Sequence, residues 1–153
     1  SLRKMIGDDA FLRDGDTIQL NFQRVRVDLV ELHETLNLVE SLLRERTYGR
    51  AREEVIRAAT MFAGEVPFPG LYEEYFEGLR EDLEARMRRL LADVGKALLR
   101  EDDPTGAEQV LAIGFDWLPD DEEFGELLRQ ALTQSGRRAE AERIRLRSQM
   151  EVE

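Results

Sequence analysis

The chain has 153 residues, enough for one globular domain with a buried core and short for two. Its formal net charge of −11 argues against non-specific binding of DNA or an anionic membrane by the chain itself. No Cys is present, which excludes disulfides, thiolate nucleophiles and Cys-ligated zinc and fits a reducing, cytoplasmic setting. Leu, Glu, Arg and Ala dominate, the residues that lose least on entering a helix, so the chain reads as helical. No apolar run reaches the length of a membrane span, so no membrane partner is expected. The first residue is Ser rather than Met, and the natural protein is expected to begin earlier.

Residues 1–27 differ in character from the rest. They carry five basic against four acidic residues, a balance of +1, which leaves −12 on the remainder. Leu2-Arg3-Lys4-Met5-Ile6-Gly7 reads as the last turns of a helix closed by Gly. Phe11-Leu12-Arg13, Asp14-Gly15 and Asp16-Thr17-Ile18-Gln19-Leu20 read as strand, tight turn and strand, because Asp-Gly supplies the positive φ of a two-residue hairpin.

From Asp28 the period becomes helical. Asp28 and Glu31 form a capping box, and Leu29, Leu32, Leu36, Val39 and Leu43 follow at steps of three and four. A second helix is expected from Gly49 or Arg50, with Ala51, Val55, Ala58, Ala59 and Phe62 inward. Gly64 to Gly70, containing Pro67 and Pro69, is a loop. A long helix runs from Leu71 to Arg100. Asp103 and Pro104, as N-cap and first helical residue, open the next, which ends at Trp117-Leu118-Pro119. Asp120 with Glu123 caps another, Gly136 stops it, and Arg137 to about Met150 forms the last. The layout is about six helices in antiparallel pairs joined by short turns.

Small residues mark the pairing. Ala107 and Ala141 stand 34 residues apart, the tetratricopeptide period, each early in the second helix of a pair. Ala51 occupies the corresponding position of the first pair, and the extra distance to Ala107 fits the Pro-containing loop and the long central helix.

Several stretches in this order resemble the bacterial transcriptional activator domain, the tetratricopeptide-like module of antibiotic-regulatory-type transcription activators. They are Val25-Arg26-Val27-Asp28, Gly64 to Phe76, Leu90 to Leu99, and Trp117-Leu118-Pro119-Asp120-Asp121-Glu122-Glu123. Leu128-Arg129-Gln130-Ala131-Leu132 followed by Gly136-Arg137-Arg138-Ala139-Glu140-Ala141 is the clearest. The resemblance implies an all-α, tetratricopeptide-like stack of helix pairs over residues 28–153, with a short N-terminal β-hairpin. Residues 1–27 would then be the C-terminal remnant of a winged helix-turn-helix, and Arg3, Lys4 and Arg13 a remnant of its DNA contacts. It implies a regulatory protein-interaction or oligomerisation module of a bacterial DNA-binding transcription regulator. Its partners are a protein or a second copy, and DNA is reached only through sequence preceding the module. A stand-alone tetratricopeptide adaptor without DNA binding is the alternative.

Reactive chemistry finds little footing. His33 is the one histidine, too few for a typical zinc site. Asp14-Gly15-Asp16 lacks the regular ligands and closing Glu of a calcium loop. The pairs Asp102/Asp103 and Asp120/Asp121 sit at helix starts, where carboxylates cap free N–H groups. No Gly-rich phosphate loop occurs. Neither catalytic, cofactor nor metal residues are assigned, and the chain is expected not to be an enzyme. Arg86, Arg89, Asp93 and Lys96 on the long helix are the candidates for lining a groove that receives a partner, with a solvated, ion-paired face as the plainer reading.

Overall fold

The structure, a computed structural model, describes residues 14–62 and 73–152, and these are helical throughout apart from short turns. Six helices follow in order: α1 Asp14–Arg44, α2 Tyr48–Phe62, α3 Glu73–Arg100, α4 Pro104–Trp117, α5 Glu122–Gln134 and α6 Arg138–Val152. Among the described residues no helix is long and apolar enough to cross a membrane.

The first helix departs from the sequence expectation. Residues 14–20, expected as hairpin turn and second strand, belong to α1, which runs unbroken through Asp28. Arg13 and the residues before it lie outside the described residues. The apolar spacing explains the difference. Ile18, Leu20 and Phe22 alternate as in a strand, but Ile18, Phe22, Val25 and Leu29 also continue the three- and four-residue steps of Leu32, Leu36 and Val39 backwards. No change of element marks the boundary expected between residues 27 and 28.

Consecutive helices pack against one another, and α1 also meets α3, α2 meets α4, and α3 meets α5. Neighbours run antiparallel. Thr35 of α1 faces Arg57 of α2, while Leu42 and Thr47 meet at the connecting turn. Leu36, Val39, Val55, Leu91, Val94, Leu111 and Phe124 are sealed in one core that runs through the molecule. Burying each such side chain is worth roughly 1.5–3 kcal/mol.

Three of the turns share one construction. The N–H groups of Thr47, Asp103 and Arg137 donate to the carbonyls of Leu42, Leu98 and Leu132 at 2.9, 2.9 and 2.8 Å. The preceding residues Arg46, Asp102 and Gly136 donate to Leu43, Leu99 and Thr133 at 3.2, 3.2 and 3.0 Å, with φ of 60°, 58° and 79°. This is the Schellman pattern, in which a left-handed residue satisfies the last carbonyls of the helix. The next residue starts the following helix at once. Four residues beyond it lie Ala51, Ala107 and Ala141, whose N–H groups donate to Thr47, Asp103 and Arg137 at 3.0, 3.0 and 3.1 Å. The α4–α5 turn is built otherwise: Leu118 donates to Gly114 and Asp121 to Leu118, with no left-handed residue.

Two further contacts set how closely the helices approach. A Cβ on Gly95 of α3 would fall 2.6 Å from Cγ of the buried Leu111 on α4, and one on Gly114 of α4 would fall 2.6 Å from Cζ of Phe124 on α5. The missing side chains let Leu111 and Phe124 lie directly on helix backbone.

Gly114→Ala is therefore expected to lower stability by about 1–3 kcal/mol in urea denaturation, the cost of overpacking, although Ala is the better helix former by about 1 kcal/mol. An unchanged or raised midpoint would contradict the close approach. At Gly136 nothing lies within 4 Å of an added Cβ, so Gly136→Ala tests backbone conformation alone. The expected loss is about 1–2 kcal/mol, the cost of a left-handed non-glycine residue, and the same measurement reads it.

Candidate interaction surface

The sequence candidates fall into three groups. Arg3, Lys4 and Arg13 lie outside the described residues. Ala51, Ala107 and Ala141 are buried at matching positions after the three equivalent turns. Arg86, Arg89, Asp93 and Lys96 are all on α3, but they are not brought into one cluster.

Arg86 is the hub of the α1–α3 contact. Its Nε donates to Glu40 Oε1 at 3.0 Å, Nη1 lies 3.1 Å from His33 Nδ1, and Nη2 donates to Asn37. His33, Asn37 and Glu40 are spaced four and three residues apart, so they line one stripe of α1 facing α3. Arg89 donates to the same Glu40 oxygen at 3.0 Å. The hydrogen bond from Arg86 holds the Glu40 carboxyl below its usual value; burial opposes this, and the charges of Arg86 and Arg89 add to it. With its side chain only 17% exposed, Arg86 is an internal clamp rather than an open cation awaiting a partner.

Lys96 points the other way, to α5. Its Nζ lies 3.1 Å from Glu123 Oε2, and Arg88 Nη2 lies 3.7 Å from the other Glu123 oxygen. Arg88 Nε donates to Asp121 Oδ2 at 2.7 Å, and its guanidinium sits 5.6 Å from the centre of the Phe124 ring. Asp121, and not Asp120, is the N-cap of α5, accepting from the N–H groups of Glu123 and Phe124 at 3.0 and 3.4 Å. The sequence pairing of Asp120 with Glu123 missed by one residue. Adjacent aspartates are equivalent in a spacing argument, and the long reach of Arg88 from α3 selects between them. Asp93 is half-buried and makes no ion pair among the described residues.

Burial pushes the Asp121 carboxyl up, but the hydrogen bonds from Arg88, Phe124 and Glu123 and the Arg88 charge outweigh it, and the group titrates below its ordinary value. The hydrogen bond to Asp121 correspondingly raises Arg88.

His33 accompanies Arg86 at the surface of the α1–α3 contact. Trp117 is half-buried with its ring 5.4 Å from that of Phe62 at 62°, and Arg80 covers Phe62 at 4.8 Å. At the C-terminal end α6 buries Ala141 and exposes Arg138, Glu142, Arg143 and Leu146. Among these outward residues Leu146 alone is large and apolar. Among the described residues no three His, Cys, Asp or Glu side chains come together in a way that could hold a metal ion.

Compared with known protein families, curated proteins and solved structures, the chain matches none at a significant level.

A carboxylate whose folded value is depressed contributes stability above its unfolded value and loses it as pH falls through the folded one. For Asp121 the loss begins below its ordinary 3.8. Asp121→Asn, which keeps a capping oxygen, is expected to be less stable than the parent by about 0.3–1 kcal/mol at pH 7. The gap should narrow as the pH approaches 3 in paired denaturation curves. A gap independent of pH would show that the Asp121 charge contributes nothing.

Proposed function

We propose that this chain is a tetratricopeptide-like stack of antiparallel helix pairs. It serves as the regulatory protein-interaction or oligomerisation module of a bacterial DNA-binding transcription regulator. The observation that carries the stack is the recurrence of one turn at three places. Each recurrence has a left-handed residue, an immediate restart of the helix and an alanine four residues further on. The pairs are then α1–α2, α3–α4 and α5–α6, and the differently built α4–α5 turn falls between two of them. A repeat of this kind gains its use from an extended surface made by successive units. The regulatory part of the reading rests on the ordered resemblance to the bacterial transcriptional activator domain. The module works inside the cell, and a DNA-reading domain preceding it supplies the affinity for DNA.

The reading is tested by comparing DNA binding of this chain with that of the product of its complete natural gene. The chain alone is expected to bind negligibly at physiological salt. The complete protein should bind with an affinity that falls steeply as salt rises, as phosphate contacts require. A natural gene that starts at this chain, or a complete protein without DNA affinity, would remove the regulatory assignment and leave the adaptor.

A further inference from the structure

The arginines of the described residues divide sharply by location. Most have a carboxylate partner within the chain, as Arg52, Arg57, Arg86, Arg88 and Arg137 do. Among the described residues, Arg44, Arg46, Arg50, Arg100 and Arg138 make no ion pair, and all five are exposed. Each lies in or beside one of the three equivalent turns. Elsewhere, among the residues whose side chains are described, only Arg80, which covers Phe62, and Arg143 on α6 make no ion pair.

These turns lie along one edge of the molecule, because neighbouring helices alternate in direction. Two ion pairs tie them in sequence. Arg52 near the start of α2 reaches Asp103 of the second turn at 3.9 Å, and Glu108 near the start of α4 pairs with Arg137 of the third. Glu45, Glu101 and Asp102 share the edge and are exposed. At the first turn Arg44, Arg46 and Arg50 stand against one neighbouring carboxylate, Glu45, so this part of the edge is locally positive in a chain of charge −11. Glu101, Asp102 and the two carboxylates that share Arg137 offset Arg100 and Arg138 at the other two turns.

We propose that this edge, centred on Arg44, Arg46 and Arg50, is a docking surface for an acidic segment of a partner protein. A short acidic segment can engage the three guanidiniums together, because they come from one turn and the helix ends on either side of it. A long polyanion such as DNA or RNA extends past the edge and meets the negative charge of the remaining surface, which disfavours it. The contact is at the turns, separate from the α1–α3 and α3–α5 faces where Arg86, Arg89 and Lys96 are already occupied. The proposal deepens the interaction-module reading and rests on it.

The test uses the whole chain and a fluorescein-labelled oligoglutamate peptide, with a single-stranded DNA of equal charge in parallel, read by fluorescence anisotropy at low salt. Arg46→Glu and Arg143→Glu make the same change in net charge at different places. Circular dichroism checks that both remain folded, and Arg50→Glu replaces Arg46→Glu if the turn does not tolerate it. Arg46→Glu is expected to weaken oligoglutamate binding by at least about fivefold and Arg143→Glu by less than about twofold. Equal weakening by the two variants, no binding by the parent, or tighter edge-dependent binding of the DNA would each overturn the proposal. None of these outcomes bears on whether the complete protein binds DNA, so the edge and the regulatory reading fail separately.

Discussion

Everything in this molecule depends on how closely one helix can lie on the next. Leu111 rests on the backbone at Gly95 and Phe124 on the backbone at Gly114. Ala51, Ala107 and Ala141 do similar service just beyond the turns, where a larger residue would push the returning helix away. Dispersion and burial act only at contact distance. A few positions with little or no side chain therefore govern whether the large apolar residues around them find partners. The left-handed turns complement this. They reverse the chain in the fewest residues, so the returning helix begins at the height where the small residue is needed.

Charge arranges what apolar contact has assembled. Ion pairs join helices two apart in sequence: Arg86 with Glu40, Arg88 with Asp121, Arg52 with Asp103, and Arg147 with Asp116. The most exposed of them, Arg147 with Asp116, contributes little stability by itself. Their geometric effect is larger, because Arg86 reaches three α1 side chains and so fixes the register of two helices that share no turn. Asp121 joins two roles, ending the unsatisfied N–H groups of α5 while gripping Arg88 of α3. A single, largely buried carboxylate thereby orients two elements at once.

Much of the fold was legible in the sequence, and the reasons are local. Asp103-Pro104, Trp117-Leu118-Pro119 and Gly136 carry their own stereochemical constraints, so those helix ends could be placed without knowledge of the rest. The alanines could be matched by spacing alone. Two kinds of information were not legible. Over residues 14–27 one set of apolar positions satisfies both a strand and a helix period, and the Asp-Gly pair favoured the hairpin that α1 replaces. The destinations of long charged side chains were hidden as well. Arg86, Arg89 and Lys96 look alike as a list of cations on one helix. Their separate fates, two toward α1 and one toward α5, depend on which carboxylates the other helices bring within reach. Arg46 and Asp102 gave no sign of their left-handed backbone, because glycine marks only the third of the equivalent turns.

The contact pattern, each helix touching little beyond its neighbours and next neighbours, has a kinetic corollary. Nearly all the loops that must close during folding are short, so the entropy lost before native contacts form is small. Order can spread outward from any well-formed hairpin, and it can be lost from the ends inward, a helix at a time. α6, with a single flank covered and Ala141 as its buried anchor, is the natural place for such fraying to start, while α3 and α4 in the middle should hold amide protons longest.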